Sequence, residues 1–326
     1  MVVQFGNRLG DCRLTRSRPT LATLSCTLRA MKPGHTNRKG KKVGSGRRKS
    51  SPQARTHWVV YTDLDGTLLD HATYSYAPAR EALDLLAERR IPVILCSSKT
   101  RAEIELLRRD LRHSDPFISE NGGAIFIPRG YFPSAIPDSG ERQGYDVLEF
   151  GAPYRKLVDA LHGVATELGI KVLGFSDMSI KELAQDCRLS PQEARLAKMR
   201  EYDEPFRILD SRASERSRPF DRLRELGFRC TMGGRYHHVT GVPDKGLAIR
   251  TLRELYKQQW GSVTTIGLGD SLNDLSLLQE VDVPIFVRNP VSNTQTRLLR
   301  EAPTAWLTSL PGPQGWNEAI LKALSG

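Results

Sequence analysis

The chain has 326 residues, is 39% hydrophobic and carries a net charge of +11. That length supports a sizeable core and more than one domain, and no apolar run nears the roughly 20 residues of a membrane helix, so a soluble, cytoplasmic protein is expected. Residues 1–56 hold 14 Lys or Arg and a single acid, Asp11, which leaves 34 basic and 36 acidic residues in the body. The body gives no electrostatic case for nucleic acid or a membrane surface as partner.

The tail, residues 1–56, contains RKGKKVGSGRRKS and almost no large apolar side chain beyond Val43 in that stretch, so it is expected to be disordered. Three readings stand open for it: a solvated leader or upstream mis-start with Met31 as initiator, a basic arm for anionic surfaces, or a targeting peptide. Five scattered cysteines without a C-x-x-C pair argue against a zinc site or disulfide framework.

From Trp58 the chain alternates strand and helix. HWVVYTDLD reads as a strand, APAREALDLLAERR as an amphipathic helix with Pro78 in its first turn, IPVILCSS as a strand apolar on both faces, and TRAEIELLRRDL as a helix. PFISENGGAIFIP reads as two strands around a turn at Asn121-Gly122-Gly123. Late in the chain SVTTIGLGD, SLNDLSLLQEV and VPIFV resume the pattern of a doubly wound α/β sheet. Between them, residues 129–238 mix strand-like and helix-like segments, as an inserted α+β module would. The expected division is a tail (1–56), a core in two parts (57–128 and 239–326) and an insert (129–238).

Four polar clusters fall where such a sheet binds ligands, beyond the carboxyl ends of its strands. They are Asp63 and Asp65; Ser97, Ser98 and Lys99; Lys245; and Asp270, Asn273 and Asp274. Asp63 and Asp65 are two apart and share a face of an extended segment. Several carboxylates in one place repel unless a cation lies among them, and oxygen donors without His or Cys favour Mg²⁺. A cation, an ammonium and a hydroxyl suit a phosphoryl group, a carboxylate aimed at phosphorus can be a nucleophile, and a second carboxylate can move protons. Taken alone, Ser98 or Thr100 reads as a helix cap, and Lys245 as a surface lysine. His237 and His238 are adjacent on a strand and point to opposite faces, so a metal pair is not expected, but one could meet substrate.

DLDGT, the serine after VILC, Lys245 and GDSLND resemble, in order, the four motifs of the haloacid dehalogenase superfamily of phosphatases. The resemblance implies Asp63 as nucleophile, Asp65 as acid/base, Ser97 and Lys245 on the phosphate, and Mg²⁺ held by Asp63, the Asp65 carbonyl and Asp270, with Asp274 beside it. An insert between the second and third motifs resembles a C2-type cap on a Rossmann-like core. VILCSSKTRAEIELL, ISENGGAIF, REYDEPF, GGRYHHVTG and DKGLAI further resemble the mannosyl-3-phosphoglycerate phosphatase family. This implies hydrolysis of a mannosyl- or glucosyl-3-phosphoglycerate, a small-molecule substrate, in compatible-solute synthesis. Residues expected at the substrate are Ser97, Ser98, Lys99, Glu120, Asn121, Gly122, Arg200, Glu204, Arg235, His237 and Asn273. A general sugar-phosphate phosphatase or phosphomutase is the rival enzyme reading, and a binding module acting through the basic tail is the rival of another class.

Overall fold

The computed structural model describes residues 57–209, 217–233, 235–242, 244–290 and 295–325. The expected tail lies outside them. Among the described residues no helix is long and apolar enough to cross a membrane.

Strands β1 (His57–Thr62), β2 (Val93–Cys96), β3 (Phe117–Ser119), β4 (Ala124–Pro128), β5 (Gly140–Arg142), β6 (Tyr145–Glu149), β11 (Val263–Gly269), β12 (Val283–Arg288) and β13 (Trp306–Pro311) form one sheet. Its order is β13-β12-β11-β1-β2-β3-β4-β6-β5. Pairings from β13 to β3 are parallel, and β4, β6 and β5 add an antiparallel edge. The apolar strands are explained by burial on both faces. Val60 joins a cluster with Leu86 and Trp316, while Val59 and Tyr61 join another with Ile249 and Tyr256. The helices that supply these layers are α1 (Arg80–Glu88), α2 (Arg101–Leu111) and, late in the chain, α7 (Lys245–Trp260), α8 (Leu275–Gln279), α9 (Gln295–Glu301) and α10 (Gly312–Ala323). β1 lies between β2 and β11, so the winding reverses beside it, which opens a crevice at its carboxyl end.

A second sheet, β7-β8-β10-β9, is antiparallel throughout. It comprises β7 (Val172–Gly174), β8 (Asp203–Ile208), β9 (Arg229–Gly233) and β10 (Tyr236–Thr240). Helices α3 (Tyr154–Leu168) and α6 (Arg218–Glu225) cover one face through Leu157, Leu161 and Leu223 against Phe206 and Val239. Helices α4 (Ile180–Cys187) and α5 (Pro191–Ala197) form a satellite cluster with Phe175 and Tyr236.

The insert is shorter at its start than the sequence suggests. Residues 140–149 belong to the large sheet, with β6 paired to β4. The reason is burial on both sides: Val147 packs into one core layer and Leu148 into the other, as on the inner strands. The smaller module therefore begins after Glu149, and its last strand runs to Thr240, two residues beyond the expected end.

Candidate active site

Asp63 follows β1, and its backbone N–H donates to the Leu268 carbonyl of β11 at 2.9 Å. Its side chain is buried and accepts a hydrogen bond from Lys245 Nζ at 2.7 Å. The same ammonium donates to Asp274 Oδ1 at 2.6 Å. Lys245 is the first residue of α7, capped by Asp244, whose side chain accepts from Leu247 N at 3.2 Å. A lysine only 1% exposed is not the solvated surface residue that its isolated sequence context allows.

Asp270 follows β11 and is buried as well. Its carboxylate accepts from Thr67 Oγ1 at 3.3 Å and from Asn289 Nδ2. Carboxylate oxygens of Asp63, Asp270 and Asp274 all lie within 4.8 Å of one another. Asp274 is engaged on both oxygens: Oδ1 by Lys245, and Oδ2 by Asp270 N, Ser271 N and Ser271 Oγ, each at 3.1 Å. It therefore orients Lys245 and the Asp270 loop. The turn that permits this closeness needs Gly66, with φ +82°; a Cβ there would lie 2.6 Å from Asp270 Oδ2.

Electrostatics carry the same message. Burial and the Asp274 charge push Asp63 well above the usual carboxylate range, against the pull of Lys245. Burial and Asp274 push Asp270 up to about 7, partly opposed by Asn289 and Lys245. Burial would strip Lys245 of its proton, but Asp274 and Asp63 more than offset this and hold it charged. A pocket with one ammonium among three carboxylates retains a negative excess, and its oxygen donors fit a hard divalent cation.

Asp65 stands at the rim, with Oδ2 2.9 Å from Lys99 Nζ and Oδ1 buried without a partner. Lys99 lies over the Tyr74 ring, 5.1 Å from its centroid. Ser97 is buried at the end of β2, and its Oγ accepts from Lys99 N at 3.2 Å. Thr100, not Ser98, caps α2, with a reciprocal bond between Glu103 and the cap. Asn273 lies in the turn between Asp270 and Asp274 and accepts from Ser271 Oγ.

Several expected substrate residues are engaged elsewhere. Glu120, 2% exposed, accepts from the backbone N–H of Glu201 at 2.9 Å and of Tyr202 at 2.8 Å, so it fastens the smaller module to the core. Gly122, at φ +95°, packs where a Cβ would come within 2.3 Å of the Asp244 carbonyl. Glu204 is buried between Tyr154 OH at 2.6 Å and Ser176 Oγ at 2.6 Å, on the far side of its strand. Arg200 donates to the Ser98 carbonyl at 2.8 Å and pairs with Asp203 at 3.3 Å. Arg235 donates to the Asp186 carbonyl and lies against Tyr236. His237 turns to the helix-covered face, against Phe206 and Phe220. His238 takes the opposite face, its Nδ1 2.8 Å from Asp203. Sequence reasoning does not single out Thr67 or Asn289, which both bond Asp270; Thr67, inside DLDGT, carries a signal there, and Asn289 joins through a tertiary contact.

Residues 60–132 match the family model of haloacid dehalogenase-like hydrolases. Over 268 residues the chain is 45% identical to the glucosyl-3-phosphoglycerate/mannosyl-3-phosphoglycerate phosphatase of Methanococcoides burtonii, covering 81% of this chain and 96% of that protein. The chain belongs to the mannosyl-3-phosphoglycerate phosphatase family. A second member, the mannosyl-3-phosphoglycerate phosphatase of Pyrococcus horikoshii, is 36% identical over 229 residues, covering 70% of this chain and 90% of that protein. The family places the chain among phosphoric monoester hydrolases of the haloacid dehalogenase superfamily. Solved structures agree on the fold. A haloacid dehalogenase-like hydrolase from Bacteroides thetaiotaomicron superposes with a TM-score of 0.57 at 20% identity, covering 82% of this chain and all (100%) of that one. The sucrose-phosphatase of Synechocystis gives 0.53 at 14% identity, covering 82% and 98%. Both have the α/β core described above, and the smaller module takes the place of the family's cap.

Proposed function

We propose that this chain is a Mg²⁺-dependent phosphatase that hydrolyses a glycosyl-3-phosphoglycerate, mannosyl or glucosyl, through an aspartyl-phosphate. The observation that carries the reading is the buried set Asp63, Lys245, Asp274 and Asp270 at the carboxyl end of the central strand, in which Lys245 bonds Asp63 and Asp274 and the three carboxylates lie within 4.8 Å of one another. Support for the substrate is the activity for which the two family members above are named.

Asp63 and Asp270, with the Asp65 backbone carbonyl, are the groups to hold the ion. Bound there, Mg²⁺ would offset the crowded carboxylate charge and that of the phosphoryl oxygens. An Asp63 oxygen attacks phosphorus, the P–O bond to the glycerate breaks, and Asp65 gives its proton to the departing oxygen. Water then attacks the phosphorus and passes a proton to Asp65, and Asp63 is released as carboxylate with inorganic phosphate. Ser97 and Lys245 hold phosphoryl oxygens while Lys245 also keeps Asp63 aligned. Lys99 holds the Asp65 carboxylate at the rim.

The test is phosphate release from mannosyl- and glucosyl-3-phosphoglycerate beside a panel of sugar phosphates, with Asp63→Asn as the control. A kcat/KM at least ten-fold higher on the glycosyl phosphoglycerates, lost in the variant, is expected. Equal rates across the panel would remove the substrate assignment, and undiminished turnover by the variant would remove the nucleophile.

A further inference from the structure

A cavity of about 510 Å³ lies between the cap sheet and the core, within the usual range for small-molecule sites. Lys245, Asn273 and Asn121 line it from the core, and Arg229, Thr231 and Thr240 from the cap. Register explains the cap side. Arg229 pairs with Thr240 and Thr231 with His238, so these four side chains share one face of the sheet. Val239 and Phe206 point the other way, into the helices. Lys245, whose Nζ is 2.7 Å from Asp63, lines the cavity, which places it one residue from the proposed nucleophile, on the side where the alcohol part of a phosphate ester would lie.

Two features say what it takes. Its charged lining is Arg229, Lys245, Arg297 and Asp244; Lys245 is already paired with Asp63 and Asp274 and Arg297 with Glu301, so Arg229, paired at Nη1 with Asp244, is the cation with donors to spare. The side-chain oxygen of Asn121 is buried there without a hydrogen-bond partner, an arrangement that costs free energy unless a ligand donor completes it. An anionic group with hydroxyls beside it meets both demands.

Resting on the glycosyl-3-phosphoglycerate reading, we infer that Arg229 binds the glycerate carboxylate of the substrate and that Asn121 accepts from one of its hydroxyls. Arg229 has the donors to do so: Nη1 pairs with Asp244 at 3.1 Å, and the side chain is about half exposed. The other arginines are engaged differently. Arg200 is nearly buried on Ser98, Ala197 and Asp203, Arg235 is held by Asp186, and Arg297 pairs with Glu301 on an exposed turn of helix. Asp244 also caps α7, so the carboxylate reader and the helix that presents Lys245 share one partner.

The test compares wild type, Arg229→Lys and Arg229→Gln on a glycosyl-3-phosphoglycerate and on the matching glycosyl-glycerol phosphate, which lacks the carboxylate. Loss of a charged hydrogen bond predicts a fall of about 10- to 100-fold in kcat/KM of Arg229→Gln on the first substrate, mainly through KM, with Arg229→Lys between. The preference for the carboxylate substrate collapses accordingly. A retained preference overturns the Arg229 assignment alone. An equal fall on both substrates overturns it too, since Arg229 then acts only by steadying Asp244. A wild type with no preference for the carboxylate overturns this inference together with the substrate reading.

Discussion

Lys245→Met tests the electrostatic logic of the site most directly, because methionine keeps an unbranched chain and removes the charged donor. The ammonium is 1% exposed and lies 2.7 Å from Asp63 and 2.6 Å from Asp274. At an effective dielectric near 20, each contact is worth about 6 kcal/mol of Coulomb attraction before desolvation is subtracted. Stripping three groups of water removes much of that, and breaking a buried pair from one side costs about 3–5 kcal/mol net. The variant should therefore lose about 3 kcal/mol by urea unfolding at pH 7.5 in EDTA, besides its turnover.

The pH dependence fixes the cause. Burial and Asp274 already hold the Asp63 carboxyl above its ordinary range, and Lys245 is the main pull downward. Without it the folded-state value rises further. A carboxyl raised on folding destabilises nothing below its unfolded value of about 3.9, and the penalty grows as pH climbs from there to the folded value. The deficit of Lys245→Met should thus be largest at neutral pH and shrink toward pH 4.5. An equal deficit at pH 4.5 and 7.5 would mean that Lys245 contributes packing rather than charge, and the electrostatic explanation of the pocket would fail.

Asp270→Ala should weaken Mg²⁺ binding at least ten-fold by calorimetric titration yet leave metal-free stability unchanged or raised, since it removes one of three crowded carboxylates; an unchanged titration would exclude Asp270 as a ligand. Gly66→Ala forces a side chain to φ +82° and a methyl to 2.6 Å from Asp270 Oδ2, so kcat and Mg²⁺ affinity should both fall, with about 1–2 kcal/mol of backbone strain seen in thermal unfolding. Wild-type values for both would show that the loop opens freely.

The core and the convergence of Asp63, Lys245, Asp270 and Asp274 are legible in the sequence because the segments that carry them are local patterns. Apolar runs ending in DLDGT, CSSK and GLGD place polar groups at strand ends, and a doubly wound sheet gathers strand ends whatever else it does. What stays illegible are choices made by tertiary partners. Alternation along YHHVT says that His237 and His238 face opposite ways, but only the packing of Phe220 on one side decides that His238 faces the core. Residues 145–149 look like any strand, and their place in the large sheet depends on two layers lying ready for Val147 and Leu148. Glu120 illustrates the deeper limit. A carboxylate beside a substrate loop reads as a ligand group, yet burial to 2% and two backbone N–H donors make it the clasp between cap and core. Burial pushes that carboxyl up to about 8, so the clasp is held against a desolvation penalty that grows as pH rises from its unfolded value. The same strand end thus serves two ends at once. Asn121, the next residue, leaves its oxygen unpartnered toward the cavity, while Glu120 fixes the cap that closes it. Cavity lining and cap attachment thus meet in one turn, which is why no single residue of ENGG can be assigned from its type alone.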